Sequence, residues 1–182
     1  MALTSRGRAL RWLTKHRGLT EDPPGSNKDR RIDGITAAQE RLARGGQYLV
    51  GQPWCGTWFA NALLAAGLTV KDGVDGRLAG VAYIEEAAQR GAPPFRGWVT
   101  VRDRYWYKKV LRGDAVVLFG YGVHVETVRS TSWVYRRLGY IRTEGGNTGP
   151  GDSGSQANGG GAFPRKRRIN DIRGFAIVDF PD

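Results

Sequence analysis

The chain carries one cysteine and two histidines in 182 residues, and their surroundings differ sharply. Cys55 follows Pro53 and Trp54 and opens an apolar, small-residue run in which Cys55, Phe59, Ala62 and Ala66 recur at helical spacing. A cysteine in the first turn of a helix lies at the positive end of the helix dipole, which favours thiolate over thiol. The alternative is a small buried hydrophobe, the ordinary fate of a lone cysteine. A single thiol forms no internal disulfide, so the redox compartment is not legible from it. His124 stands in an alternating apolar segment, where Val123 and Val125 point one way and His124 the other. From the cleft side of a sheet it could take the thiol proton and return it to a leaving amine. The alternative is a histidine hydrogen-bonded in the core. His16 falls in the basic N-terminal segment and reads as a surface residue.

A base of this kind needs a third polar group to orient it. Glu144 follows the next strand-like segment, and Asn147, three residues on, offers an amide for the same role. Glu126 is their rival, two residues beyond His124 on the same strand face. It reads equally as a charged residue facing solvent from an edge strand.

The elements that must position these groups divide the chain in two. Residues 6–17 form a short amphipathic helix with Ala9, Leu10, Trp12 and Leu13 on one stripe. Residues 21–34 are loop by composition. Thr36 and Gln39 have capping-box spacing, which predicts a helix from Ala37. A buried helix over 55–66 follows, stopped by Gly67, and another over 79–90, stopped by Gly91. Strands are expected at 98–101, 114–119, 123–128, 138–143 and 175–180. Helices first and strands afterwards give an α+β domain with an antiparallel sheet. The glycine-rich stretch 145–161 is expected to be one long loop.

The length fits a single domain spanning 1–182. A hydrophobic content of 40% and six tryptophans suffice for a core, while 27 glycines and eight prolines indicate many turns. No apolar run is long enough to span a bilayer, and the basic N-terminus lacks the pattern of a secretory signal. No membrane partner is therefore expected. The net charge of +11 predicts adhesion to polyanions. It is spread along the chain, and Arg165, Lys166, Arg167 and Arg168 form the one dense cluster, either a solvated surface or a polyanion contact.

Pro53-Trp54-Cys55 before an apolar helix, Gly113-Asp114 before Val116-Val117, His124-Val125, and the turn Glu144-Gly145-Gly146-Asn147 together resemble the CHAP branch of the NlpC/P60-like cysteine hydrolases. Pro23 to Asn27 and Ser155 to Gly161 are similar to phage endolysins of that group. The resemblance spans roughly residues 18–180. It implies a papain-like α+β fold and hydrolysis of amide bonds in bacterial peptidoglycan, with no cofactor or metal. It makes Cys55 the nucleophile, His124 the base, Glu144 and Asn147 the groups that orient it, and Asp114 a structural tie at a strand start. Trp54 stands where many relatives carry glutamine, so Gln52 becomes a candidate oxyanion donor beside the Cys55 backbone N–H. Trp54 and Trp58 are candidates for the cleft wall.

The expectation is an endolysin-like amidase or endopeptidase, a monomer made in a host cytoplasm without a signal peptide and acting on the wall. Its partners are peptidoglycan and anionic wall polymers, not nucleic acid. The rivals are a non-enzymatic basic domain binding nucleic acid or wall, a degenerate module that kept only the fold, and a hydrolase or transferase of another amide.

Overall fold

The computed structural model describes residues 3–42, 49–120, 122–148 and 160–181. Among these, six α-helices and one six-stranded sheet form an α+β fold. The helices are α1 (Ser5–Lys15), α2 (Arg30–Glu40), α3 (Cys55–Ala65), α4 (Val81–Gln89), α5 (Trp106–Lys109) and α6 (Trp133–Arg137). The strands are β1 (Phe95–Val99), β2 (Ala115–Leu118), β3 (His124–Ser130), β4 (Tyr140–Thr148), β5 (Gly161–Arg168) and β6 (Ile172–Val178). Their order is β1-β6-β2-β3-β4-β5, antiparallel throughout. No helix among the described residues is long and apolar enough to cross a membrane.

Alternation along the central strands assigns the two faces. Ala115, Val117, Val125, Ala176 and Val178 join one apolar cluster with α1, α3 and α4. Val116, Leu118, Val128, Phe175 and Ile177 join a second cluster with Val99, Trp106 and Val110, where Trp106 stacks on Phe175 at 5.0 Å. Helix α1 buries Ala9 and Leu13, with Leu10 and Trp12 at the rim of the first cluster. Arg8 closes the far end of α3 by donating to the Ala66 carbonyl at 2.5 Å. Asp114 ties down the start of β2, accepting from the Leu111 and Val178 N–H groups and from Arg6.

Three sequence expectations are corrected. Helix α2 starts at Arg30, capped by Asp29, whose side chain accepts from the Arg31 N–H. Thr36 lies inside that helix and returns its hydroxyl to the Ile32 and Asp33 carbonyls, so the capping-box spacing at Thr36 was coincidental. Strand β4 runs on through Glu144 to Thr148, and β5 begins at Gly161. The expected glycine loop is thus strand at both ends, and its middle, 149–159, lies outside the described residues. The basic cluster is β5 itself. Arg165 and Arg167 are buried while Lys166 and Arg168 are exposed, because successive side chains take opposite faces.

Candidate active site

Cys55 opens α3, whose N-cap residue Trp54 offers no side-chain cap. The uncapped N–H groups of the first turn and the helix dipole therefore bear on the thiol. Gly56 allows the close approach this needs: a Cβ there would lie 2.3 Å from the Ala79 carbonyl oxygen. The thiol is only 4% exposed and lines a cleft of about 680 Å³ with Gln52, Pro53, Arg77, Tyr83 and Val123. A second depression, of about 580 Å³, lies across the β2–β3 turn and contains none of these side chains.

His124 is the first residue of β3 and fully buried. Its Nε2 donates to Glu126 Oε1 at 3.1 Å. Its Nδ1 accepts or donates no hydrogen bond among the described residues, and the Cys55 thiol is the neighbour that acts most strongly on the ring. Burial pushes the thiol pKa up, but hydrogen bonding and charge from His124, helped by the Val125 and Gly56 backbone, bring it below its ordinary value. Burial lowers the His124 pKa, and Cys55 and Glu126 more than reverse this, raising it to about 9. Burial likewise raises the Glu126 carboxyl, whereas Arg167 and His124 pull it down to about 2.

Behind Glu126 stands Arg167, 5% exposed, which grips both carboxylate oxygens; its Nε lies 2.9 Å from Oε2. Thr143 donates its hydroxyl to Oε2 as well. The result is a buried row of groups, the Cys55 thiol, the His124 ring, the Glu126 carboxyl and the Arg167 guanidinium, in which His124 draws the thiol toward its charged form and Cys55 and Glu126 do the same for the ring. A buried charge survives only when paired and hydrogen-bonded in this way.

Glu126 therefore holds the place expected for Glu144 or Asn147. Sheet parity is the reason. Glu144 is registered opposite Thr127, and Glu126 opposite Val116. Neighbouring side chains on a strand take opposite faces, so Thr127 and Glu144 share the face of Val125 while Glu126 takes the other. Glu144 is spent on Arg17, at 3.0 Å to each oxygen, and on Arg129 at 3.3 Å. Asn147 is buried on β4 with left-handed backbone (φ 56°) and does not bond the His124 ring.

The two glycines between Glu144 and Asn147 have steric reasons. A Cβ on Gly145 would lie 2.5 Å from Glu126 Cγ, and one on Gly146 would lie 2.5 Å from the Trp54 ring. Trp54 and Trp58 are fully buried, so neither walls the cleft. Trp54 Nε1 donates to Glu21 at 2.9 Å, and Trp58 packs between Trp54 and Trp12. His16 is half-buried, bonded to the Trp12 carbonyl and tilted against the Trp12 ring with centroids 4.3 Å apart, rather than free on the surface. Gln52 lies at the cleft as an exposed side chain.

Arg167 was not singled out as a site residue from sequence. The signal present was the period-two placement of Arg165 and Arg167, which marks a shared face without saying whether it is inside. Among the described residues no group of three or more His, Cys, Asp and Glu side chains is placed to hold a metal ion. Comparison of the chain with protein-family models, with curated proteins and with solved structures found no match.

Proposed function

We propose that the chain is a cysteine-dependent hydrolase of amide bonds in bacterial peptidoglycan, with a papain-like arrangement of the CHAP type. The observation that carries this reading is the buried line Arg167–Glu126–His124 ending on a thiol at a cleft. A structural cysteine needs no imidazolium beside it, and an imidazolium buried at this depth needs a reason to stay charged. The peptidoglycan substrate rests on the resemblance of the sequence motifs and on the basic surface, which favours an anionic polymer.

The Cys55 thiolate attacks the carbonyl carbon, forming a C–S bond while the carbonyl π electrons move onto oxygen. The Cys55 N–H at the start of α3 and the Gln52 amide are the donors available to that oxyanion. As the oxyanion collapses, the C–N bond breaks and His124 gives its proton to the leaving amine. Water then attacks the thioester with His124 as general base, which frees the acid and restores the thiol–imidazole pair. Glu126 holds the ring orientation and favours its charged form, and Arg167 keeps Glu126 ionised.

The test is turnover on purified cell wall with mass spectrometry of the released fragments. Wild type should release amide-cleaved products, and iodoacetamide should abolish this. Cys55→Ser should keep its fold by circular dichroism and lose the activity, since a hydroxyl is a far weaker nucleophile than a thiolate. A serine variant as active as wild type overturns the mechanism. Absence of turnover by wild type on peptidoglycan, alongside turnover of another amide, overturns the substrate.

A further inference from the structure

Two of the most exposed large apolar side chains among the described residues belong to one short connection. Trp133 and Leu138 are each 65% exposed and Val134 is 47% exposed, all on α6 or at its end, between β3 and β4. Single exposed hydrophobes are ordinary; three within the six residues 133–138 concentrate apolar surface on one short connection, which marks an interaction site. The helix is fastened from behind. Arg136 lies 3.6 Å over the Tyr107 ring and donates to the Thr131 carbonyl, and Arg142 lies 5.7 Å over Tyr135. Tyr135 and Arg136 are thereby half-buried, while Trp133, Val134, Arg137 and Leu138 face outward.

The flank of this patch is uniformly basic. Arg142 sits opposite Lys166, and Tyr140 opposite Arg168, on the β4–β5 pair at the edge of the sheet. Arg137, Arg142, Lys166 and Arg168 are all exposed. Neither stretch 129–143 nor stretch 161–170 contains an aspartate or glutamate. An exposed tryptophan with aliphatic neighbours, rimmed by cations, has the chemistry of a membrane-interface contact: the indole and leucine sit at the headgroup–acyl boundary while Arg and Lys meet lipid phosphates. We propose that α6 and the adjoining edge of β4 and β5 form a peripheral docking face for an anionic phospholipid bilayer.

Such a contact needs no spanning helix. A hydrated polyanion would match the cations but leave Trp133, Val134 and Leu138 without a counterpart. A two-fold contact with a second copy would set the same cations against each other. The proposal is independent of the hydrolase reading, so Cys55→Ser protein serves as the background throughout.

Large unilamellar vesicles of phosphatidylcholine with an equal part of phosphatidylglycerol, and others of phosphatidylcholine alone, test it by co-sedimentation. Binding should be about tenfold or more stronger to the anionic vesicles, because several basic side chains reach their surface. Two variants, Trp133→Ser/Leu138→Ser and Arg142→Gln/Lys166→Gln/Arg168→Gln, alter exposed side chains only and should each weaken it about tenfold or more. Acyl chains brominated near the headgroup should quench part of the tryptophan fluorescence of wild type and not that of the serine variant. Equal binding to both vesicle types, no binding to either, or anionic binding that survives the serine variant overturns the proposal. Self-association by sedimentation velocity that disappears in the serine variant also overturns it, in favour of a second copy.

Discussion

Glu126→Gln removes one charge from the buried line and leaves the shape nearly unchanged. Arg167 then keeps its charge at 5% exposure without the carboxylate it grips. Breaking a buried pair on one side costs about 3–5 kcal/mol. For a chain of 182 residues that is a fall of roughly 6–20 °C in melting midpoint. The imidazolium also loses the neighbour that, after Cys55, does most to hold it charged. Wild-type kcat/KM should fall on the alkaline side near pH 9, where His124 gives up its proton. In Glu126→Gln that limb should move to lower pH, and the plateau rate should drop by a factor on the order of 10² or more. The double variant Glu126→Gln/Arg167→Met separates the two effects. Neutralising both partners should recover most of the melting midpoint, because the pair is replaced by groups that need no countercharge. It should stay as slow as the single variant. The assays are thermal denaturation by circular dichroism and a pH profile on a soluble muropeptide. A single variant with wild-type rate and an unmoved alkaline limb would refute the role given to Glu126. So would a double variant that regains activity together with stability.

Three further outcomes are expected. Glu144→Gln should lower the melting midpoint, since Arg17 and Arg129 lose their shared carboxylate, yet leave the alkaline limb of the pH profile in place; a shifted limb would return Glu144 to the site. Gly145→Ala should cost both stability and rate, because its Cβ would fall 2.5 Å from Glu126 Cγ and overpacking costs about 1–3 kcal/mol; Gly34→Ala, with ordinary backbone and nothing within 4 Å of its Cβ, is the control for an added methyl and should leave the rate unchanged. The Glu126 carboxyl titrates near 2 in the fold against an ordinary 4.5, so its contribution to stability is complete above pH 4.5 and is lost as pH falls through 2; acid unfolding followed by fluorescence should be less steep across that window in Glu126→Gln.

Much of the frame was legible from local pattern. The run from Cys55 to Ala66 shows helical periodicity with a glycine stop, and α3 occupies Cys55–Ala65. Alternation around His124 marked a strand, and β3 starts there. Asp114 was expected to tie a strand start, and it accepts two backbone N–H groups at the head of β2. These are interactions between near neighbours or repeats of a single period, so the sequence carries them in plain order. Helix α2 was misplaced because a Thr-x-x-Gln spacing looks the same at a helix start as inside a helix. Only the hydroxyl's actual acceptor distinguishes the two.

The sequence by itself determined that one thiol would open a buried helix and that one imidazole would stand on a strand with a carboxylate two residues on. Which carboxylate serves the imidazole was decided by the sheet. From the sequence Glu126 reads equally as a rival partner of His124 and as a solvent-facing edge residue, and the pairing of β4 on one side of β3 and β2 on the other decides between them. Register then turns Glu144 to the helix face, to be neutralised by Arg17 and Arg129, and β5 delivers Arg167 to Glu126 from 41 residues away. The fate of Arg165 and Arg167 inside and Lys166 and Arg168 outside was settled the same way. A charge can be buried only where its counter-charge is also brought, and pairing across strands distant in sequence is a property of the folded sheet, not of any window of the chain.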